Sequence, residues 1–153
     1  MELAQQEFAI HKRNERILSV VLLDLDHFKK INDIYGHAVG DKALVYFANL
    51  CRDSLRSADI FGRLDGEKFS IALPDTGIDG AYMVGERLRK SLESFTAYPE
   101  MKHPSMTVSI GAATMGDEDL FSTMMDNADT ALDEAKNSGR NTVVSFEEEK
   151  IAE

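Results

Sequence analysis

The residues best suited to chemistry are three carboxylates and a scatter of cations. Asp24 and Asp26 stand two apart where the apolar run at residues 17–25 gives way to charge. A spacing of two in an extended segment sends both side chains to one side of a sheet. Glu67 follows an Asp65-Gly66 pair between two strand-like runs. Acids gathered from a strand end and a hairpin suit Mg²⁺, which takes a few protein oxygens and keeps water or phosphate for the rest. Lys29 and Lys30 follow the first run, and Lys136 and Arg140 flank the end of the last helical segment, so phosphate oxygens would find cations nearby. Spacing alone fits solvated loop charge as well.

The elements that must place these residues follow from hydropathy periods. Residues 2–15 favour helix, with a weak apolar stripe. Residues 17–25, β-branched and leucine-rich, read as a strand buried on both faces. Residues 35–41 read as a loop leading into a helix whose stripe is Leu44, Phe47, Ala48, Cys51 and Leu55. Cys51 lies on that stripe and reads as core. Runs 59–64 and 67–73 flank Asp65-Gly66, which predicts a β-hairpin with a type I′ turn. A helix follows on Ala81, Val84, Gly85, Leu88 and Leu92, then a loop with two prolines over 95–104 and a strand over 105–114. Residues 118–137 carry the last helical stripe, with its Met124-Met125 pair in the core and Ser138-Gly139 as C-cap. A strand over 141–146 and an acidic tail over 147–153 complete the chain. Helices interleaved with strands, one pair of them antiparallel, predict a single α/β (α+β) sandwich of the ferredoxin-like kind, not a doubly wound parallel sheet.

Composition bounds the partners. The chain has 153 residues, the length of one domain, and 17 Lys and Arg against 27 Asp and Glu, a net charge of −10. That balance argues against a nucleic-acid or anionic-membrane binder, which needs a basic face. One cysteine excludes an internal disulfide and a cysteine-rich zinc site. No apolar run approaches the roughly 18 residues of a membrane span, and no signal peptide is visible. The expected setting is cytoplasmic, in a parent protein that could be tethered to a membrane.

Several segments together resemble the GGDEF family of diguanylate cyclases. Leu23-Asp24-Leu25-Asp26-His27-Phe28-Lys29-Lys30-Ile31-Asn32-Asp33, then Tyr35-Gly36-His37 and Gly40-Asp41, are similar to its first signature. Arg63-Leu64-Asp65-Gly66-Glu67-Lys68-Phe69 stands where the family has its naming motif. Thr107-Val108-Ser109-Ile110-Gly111, Ala128-Asp129, Ala131-Leu132, Ala135-Lys136 and Ser138-Gly139-Arg140-Asn141 resemble its later strand, last helix and following turn. The match runs from about residue 17 to residue 144, in order. It implies a nucleotide-cyclase-type, mostly antiparallel sheet flanked by helices.

The resemblance also implies roles. Asp24, the Leu25 carbonyl and Glu67 would hold Mg²⁺ or Mn²⁺, with Asp24, Glu67 and Arg63 as the catalytic set. Asn32 and Asp41 would read guanine, a carboxylate being able to accept from both N1–H and the exocyclic amine. Gly66, the amides near His27 and Phe28, Lys29, Lys136 and Arg140 would hold the GTP phosphates. Two GTP-loaded domains would meet as a homodimer and yield cyclic di-GMP and two pyrophosphates. Arg56-Ser57-Ala58-Asp59 fits the inhibitory RxxD motif, with Arg87 as its supporting arginine, a site for cyclic di-GMP. The family's upstream turn is absent, so the expectation is one domain over 1–153, cut from a longer protein and working beside its other domains.

The naming motif departs from the family's Gly-Gly-Asp/Glu-Glu-Phe at two positions. Asp65 adds bulk and negative charge beside the phosphates, and Lys68 replaces an acid next to the metal ligand. Asp65 and Lys68 are expected at different places on the hairpin, and their side-chain directions argue against an exchange of roles. The leading expectation is a domain of impaired cyclase activity that binds GTP or cyclic di-GMP as a regulatory module. An active cyclase and a plain interaction domain are the alternatives.

Overall fold

The computed structural model describes residues 1–94, 106–117 and 119–147. Its elements run α1 (Glu2–Arg13), β1 (Leu18–Leu25), α2 (Phe28–Tyr35), α3 (His37–Asp53), β2 (Ile60–Asp65), β3 (Lys68–Pro74), α4 (Ile78–Glu93), β4 (Val108–Thr114), α5 (Phe121–Asn137) and β5 (Val143–Ser145). The five strands form one sheet in the order β2-β3-β1-β4-β5. The first three pairings are antiparallel, and β5 joins β4 in parallel through the α5 crossover. The order and the hairpin reproduce the expected ferredoxin-like α+β sandwich.

β1 is the central strand, and its unbroken apolar run follows from burial on both faces. Val21, Leu23 and Leu25 face one core with Phe47 and Cys51 of α3 and Leu88 and Leu92 of α4. Val20 and Leu22 face the other with Phe8 of α1 and Met124, Ala128 and Leu132 of α5. Both cores are bounded by the helical stripes read from the sequence. Gly111 of β4 lets α5 come close: a Cβ there would stand 2.3 Å from the Leu132 nitrogen and 2.4 Å from the Ala128 carbonyl oxygen.

Cys51 is fully buried, and burial pushes its thiol up to about 12. At pH 8 that leaves a thiolate fraction of ~10⁻⁴. The folded chain is expected to stay unlabelled by a thiol reagent that reacts within minutes once the protein is unfolded. Fast labelling of the native protein would contradict this packing.

Two expectations need correction. Residues 24–41 hold a separate helix, α2, where the sequence suggested a charged strand end and a loop. α2 has only Phe28, Ile31 and Tyr35 to bury, and eight residues are too few for a periodic signal. The hairpin turn is Gly66-Glu67, not Asp65-Gly66, because Asp65 pairs with Lys68. A register shift between Arg63 and Asp65 leaves Leu64 as the extra residue, so only Gly66 of the turn takes positive φ and no type I′ turn forms. Smaller differences are at ends: α5 starts at Phe121, and β5 is confined to Val143–Ser145. The proline loop over 95–104, residue 105, residue 118 and tail residues 148–153 lie outside the described residues.

Candidate active site

β1 ends beside the β2–β3 turn, since the Leu25 amide donates to the Glu67 carbonyl at 3.2 Å. The α5–β5 turn closes the same corner. A cleft of about 200 Å³ results, lined by Asp24, Leu25, Asp26, His27, Phe28, Lys29, Glu67, Lys136 and Arg140. Sequence reasoning chose all nine as metal or phosphate residues, Asp26 by its spacing alone, and the fold brings them to one corner. His27 adopts the left-handed conformation and turns the chain from β1 into α2.

Asp24 accepts an ion pair from Lys136 at 2.6 Å, with side-chain exposures of 14% and 31%. The oxygens of Asp24, Glu67 and the Leu25 backbone are hard donors that fit a divalent cation. Among the described residues, no three Asp, Glu, His or Cys side chains converge as a metal cluster, so that cation would draw its remaining ligands from water and phosphate.

Asp26 has a different task from the one its spacing suggested. Its carboxylate accepts from Ser109 Oγ at 2.6 Å, Thr107 Oγ1 at 2.7 Å and the Asn141 amide at 3.0 Å. It is buried and spent on bracing β1, β4 and the α5–β5 turn. The turn it holds is costly by itself, because Arg140 and Asn141 both have positive φ. Arg89 of α4 reaches the same turn, donating to Asn141 Oδ1 at 3.2 Å, and also grips Glu86 at 2.8 Å. The hydrogen bond from Arg89 holds the Glu86 carboxyl below the usual carboxylate range, so this contact persists at mildly acidic pH and is lost only as pH falls through that lowered value. The alternation of Thr107 and Ser109 was the sequence signal for this brace, two hydroxyls on one face of a strand beside an acid.

Lys68 and Asp65 are direct cross-strand partners, contrary to the expectation that they lie apart. Lys68 also stands opposite Asp24 in the β1–β3 register. Its ammonium goes to Asp129 of α5 at 2.7 Å, and neither Lys68 nor Asp65 lines the cleft. Arg63 donates to the Gly66 carbonyl at 2.8 Å and so clips the turn that carries Glu67.

Asn32 sits on α2 and Asp41 on α3, and neither lines the cleft. Asp41 lines a groove of about 360 Å³ with Leu44, Val45, Arg52, Phe61, Arg63 and Phe69. A larger cavity, about 590 Å³, lies at the far end of β1 beside His11, Arg16 and Met115 and holds none of the sequence-predicted residues.

Arg56 and Asp59 pair on a third patch, and Arg87 is tied to the neighbouring Ser54. Arg56 closes on Asp59 at 2.8 Å and donates to the Pro74 carbonyl and Thr76 Oγ1, both at 3.1 Å. Arg87 reaches the Ser54 carbonyl at 2.8 Å. Arg56 keeps a side-chain exposure of 58%, whereas Asp59, at 3%, is committed to the arginine and to the Arg56 amide.

Comparison with known proteins draws these features together. The family model described as diguanylate cyclase, GGDEF domain, matches residues 2–142. The chain belongs to the GGDEF family. Diguanylate cyclase A of Treponema denticola is 37% identical over 144 residues, which span 92% of this chain and 39% of that protein. Response regulator PleD of Caulobacter vibrioides is 38% identical over 130 residues, 83% of this chain and 29% of that one. This GGDEF domain therefore spans about two fifths or less of these curated relatives. Among solved structures, the GGDEF domain of DgcB from Caulobacter crescentus in complex with c-di-GMP has a TM-score of 0.91 at 26% identity, over 96% of this chain and 88% of that one. No helix among the described residues is long and apolar enough to cross a membrane.

Proposed function

We propose that this GGDEF domain binds GTP with a divalent cation, Mg²⁺ or Mn²⁺, and serves cyclic di-GMP signalling with reduced cyclase turnover. The observation that carries the reading is the single cleft in which Asp24, Leu25 and Glu67 stand with Lys29, Lys136 and Arg140. Oxygen donors and cations in one corner match the two halves of a metal-bound triphosphate. The cation, when bound, would offset the negative charge of the α-phosphate and ease deprotonation of the 3′-hydroxyl that attacks it. Lys136 and Arg140 would neutralise the phosphates, and Asn32 and Asp41 would select guanine. One domain presents one GTP, so condensation of two into cyclic di-GMP and two pyrophosphates requires a second copy facing it.

Reduced turnover would follow from Asp65, an exposed carboxylate at the end of β2, two residues before Glu67, where the family has glycine. Lys68 counts for less than its charge suggests, because Asp129 neutralises it outside the cleft. That pair favours a second reading, a fully active diguanylate cyclase. The patch of Arg56, Asp59 and Arg87 supports a product site, in keeping with the c-di-GMP complex of the Caulobacter crescentus neighbour.

Calorimetric titration with GTP and Mg²⁺, then with cyclic di-GMP, tests both sites. Binding of each is expected, with Arg56→Ala abolishing the cyclic di-GMP signal and leaving the GTP signal intact. Absence of GTP binding would refute the nucleotide reading, and cyclic di-GMP binding unchanged in Arg56→Ala would refute the clamp.

A further inference from the structure

The junction of α2 and α3 is built on a missing side chain. Gly40, in the second turn of α3, is buried. A Cβ added there would stand 1.8 Å from Asn32 Oδ1 and 2.9 Å from Asn32 Cγ. No heavy atom fits at such a distance, so the Asn32 amide takes the space that any other residue at position 40 would fill. Helix propensity alone would favour alanine, because glycine in a helix interior is the weaker choice. The glycine is there for the close approach.

Asn32 Oδ1 is buried at this junction without a hydrogen-bond partner. An acceptor shut away unpaired is unfavourable, and its orientation has a chemical consequence. With the oxygen turned onto Gly40, the amide NH₂ is the end left for a ligand, a donor for a base acceptor. Asp41, next to Gly40 in sequence, carries the complementary acceptors. Guanine offers both an acceptor and N–H donors along one edge.

We infer that Gly40 is a positioning residue for base recognition: by admitting the Asn32 amide oxygen to the α2–α3 junction, it fixes the amide with its donor end toward the base. The inference rests on the reading of Asn32 and Asp41 given above and adds the residue that sets their geometry.

A double-mutant cycle tests it, using Gly40→Ala, Asn32→Ala and the double variant of this chain. GTP·Mg²⁺ affinity is measured by calorimetry and the Asn32 side-chain amide signal by ¹⁵N NMR. Gly40→Ala is expected to weaken GTP binding about tenfold, the loss of roughly one good hydrogen bond. In the Asn32→Ala background the same change should cost nothing further, because there is no amide left to displace. The Asn32 signal, assigned by its disappearance in Asn32→Ala, should move in Gly40→Ala. Undiminished GTP affinity in Gly40→Ala, or an equal loss in both backgrounds, overturns the inference. If the unaltered domain fails to bind GTP, the nucleotide reading falls, and the amide signal still decides: unmoved, it overturns the role of Gly40; shifted, it supports it. If Gly40→Ala alone unfolds, folding regained in the double variant supports the coupling, and failure of both overturns it.

Discussion

Asp65→Gly combined with Lys68→Glu is expected to raise conversion of GTP to cyclic di-GMP by about ten- to a hundredfold. Two like charges ~4 Å apart repel by about 4 kcal/mol at an effective dielectric of 20. Asp65 is exposed, so screening reduces its effect on a nearby phosphate to about 1–3 kcal/mol, which sets the expected range. Most of the gain should come from Asp65→Gly alone. Lys68 is already neutralised by Asp129, and Lys68→Glu would set an acid against both Asp129 and Asp24, its register partner. Product formed from GTP and Mg²⁺, separated by chromatography, gives the rates of the single and double variants. An unaltered domain that already runs as fast as the double variant would establish the active-cyclase reading instead.

The second large effect is on stability. Asp26→Ala is expected to lower the thermal midpoint by about 10 °C. The carboxylate accepts three charge-assisted hydrogen bonds at 2.6, 2.7 and 3.0 Å, and its loss orphans two hydroxyls and an amide. Bonds to a charged group contribute roughly 1.5–3 kcal/mol each, and shared relaxation brings the total to about 4 kcal/mol. In a domain of this size each kcal/mol moves the midpoint by about 2–4 °C. Asp26→Asn keeps the acceptor oxygen and should lose about half as much. Thermal unfolding followed by circular dichroism measures both, and a shift under about 3 °C for Asp26→Ala would remove Asp26 from the role of brace.

Asp26 also shows where the sequence ran out. Its spacing from Asp24 placed it at the correct corner of the sheet, but spacing does not say whether a carboxylate will be met by ligand or by protein. That depended on Thr107, Ser109 and Asn141, more than eighty residues away. The sheet was legible because β1 is buried on both faces and its neighbours are bounded by turns, and α3, α4 and α5 because each has a long apolar stripe. α2 was hidden by its length and its lysines. The hairpin was recognised but misregistered by one residue, since Asp-Gly is a strong turn signal and nothing local announces the bulge at Leu64. That single step makes Asp65 and Lys68 partners and carries the Lys68 ammonium onto α5 rather than into the cleft. The cleft residues themselves were found by the family resemblance, where composition and spacing alone favoured solvated loop charge.

Gly111 sets a mechanical tolerance for this corner. Asp129 and Lys136, the α5 partners of Lys68 and Asp24, are carried on one stiff rod, and the rod rests on the β4 backbone at Ala128 and Leu132. A methyl group at position 111 would act as a shim under the middle of that rod. Lifting it would widen both ion pairs together, because they share one bearing point. The charges of the cleft are thus spaced by an atom that is not there, in a residue that bears no charge and touches no ligand.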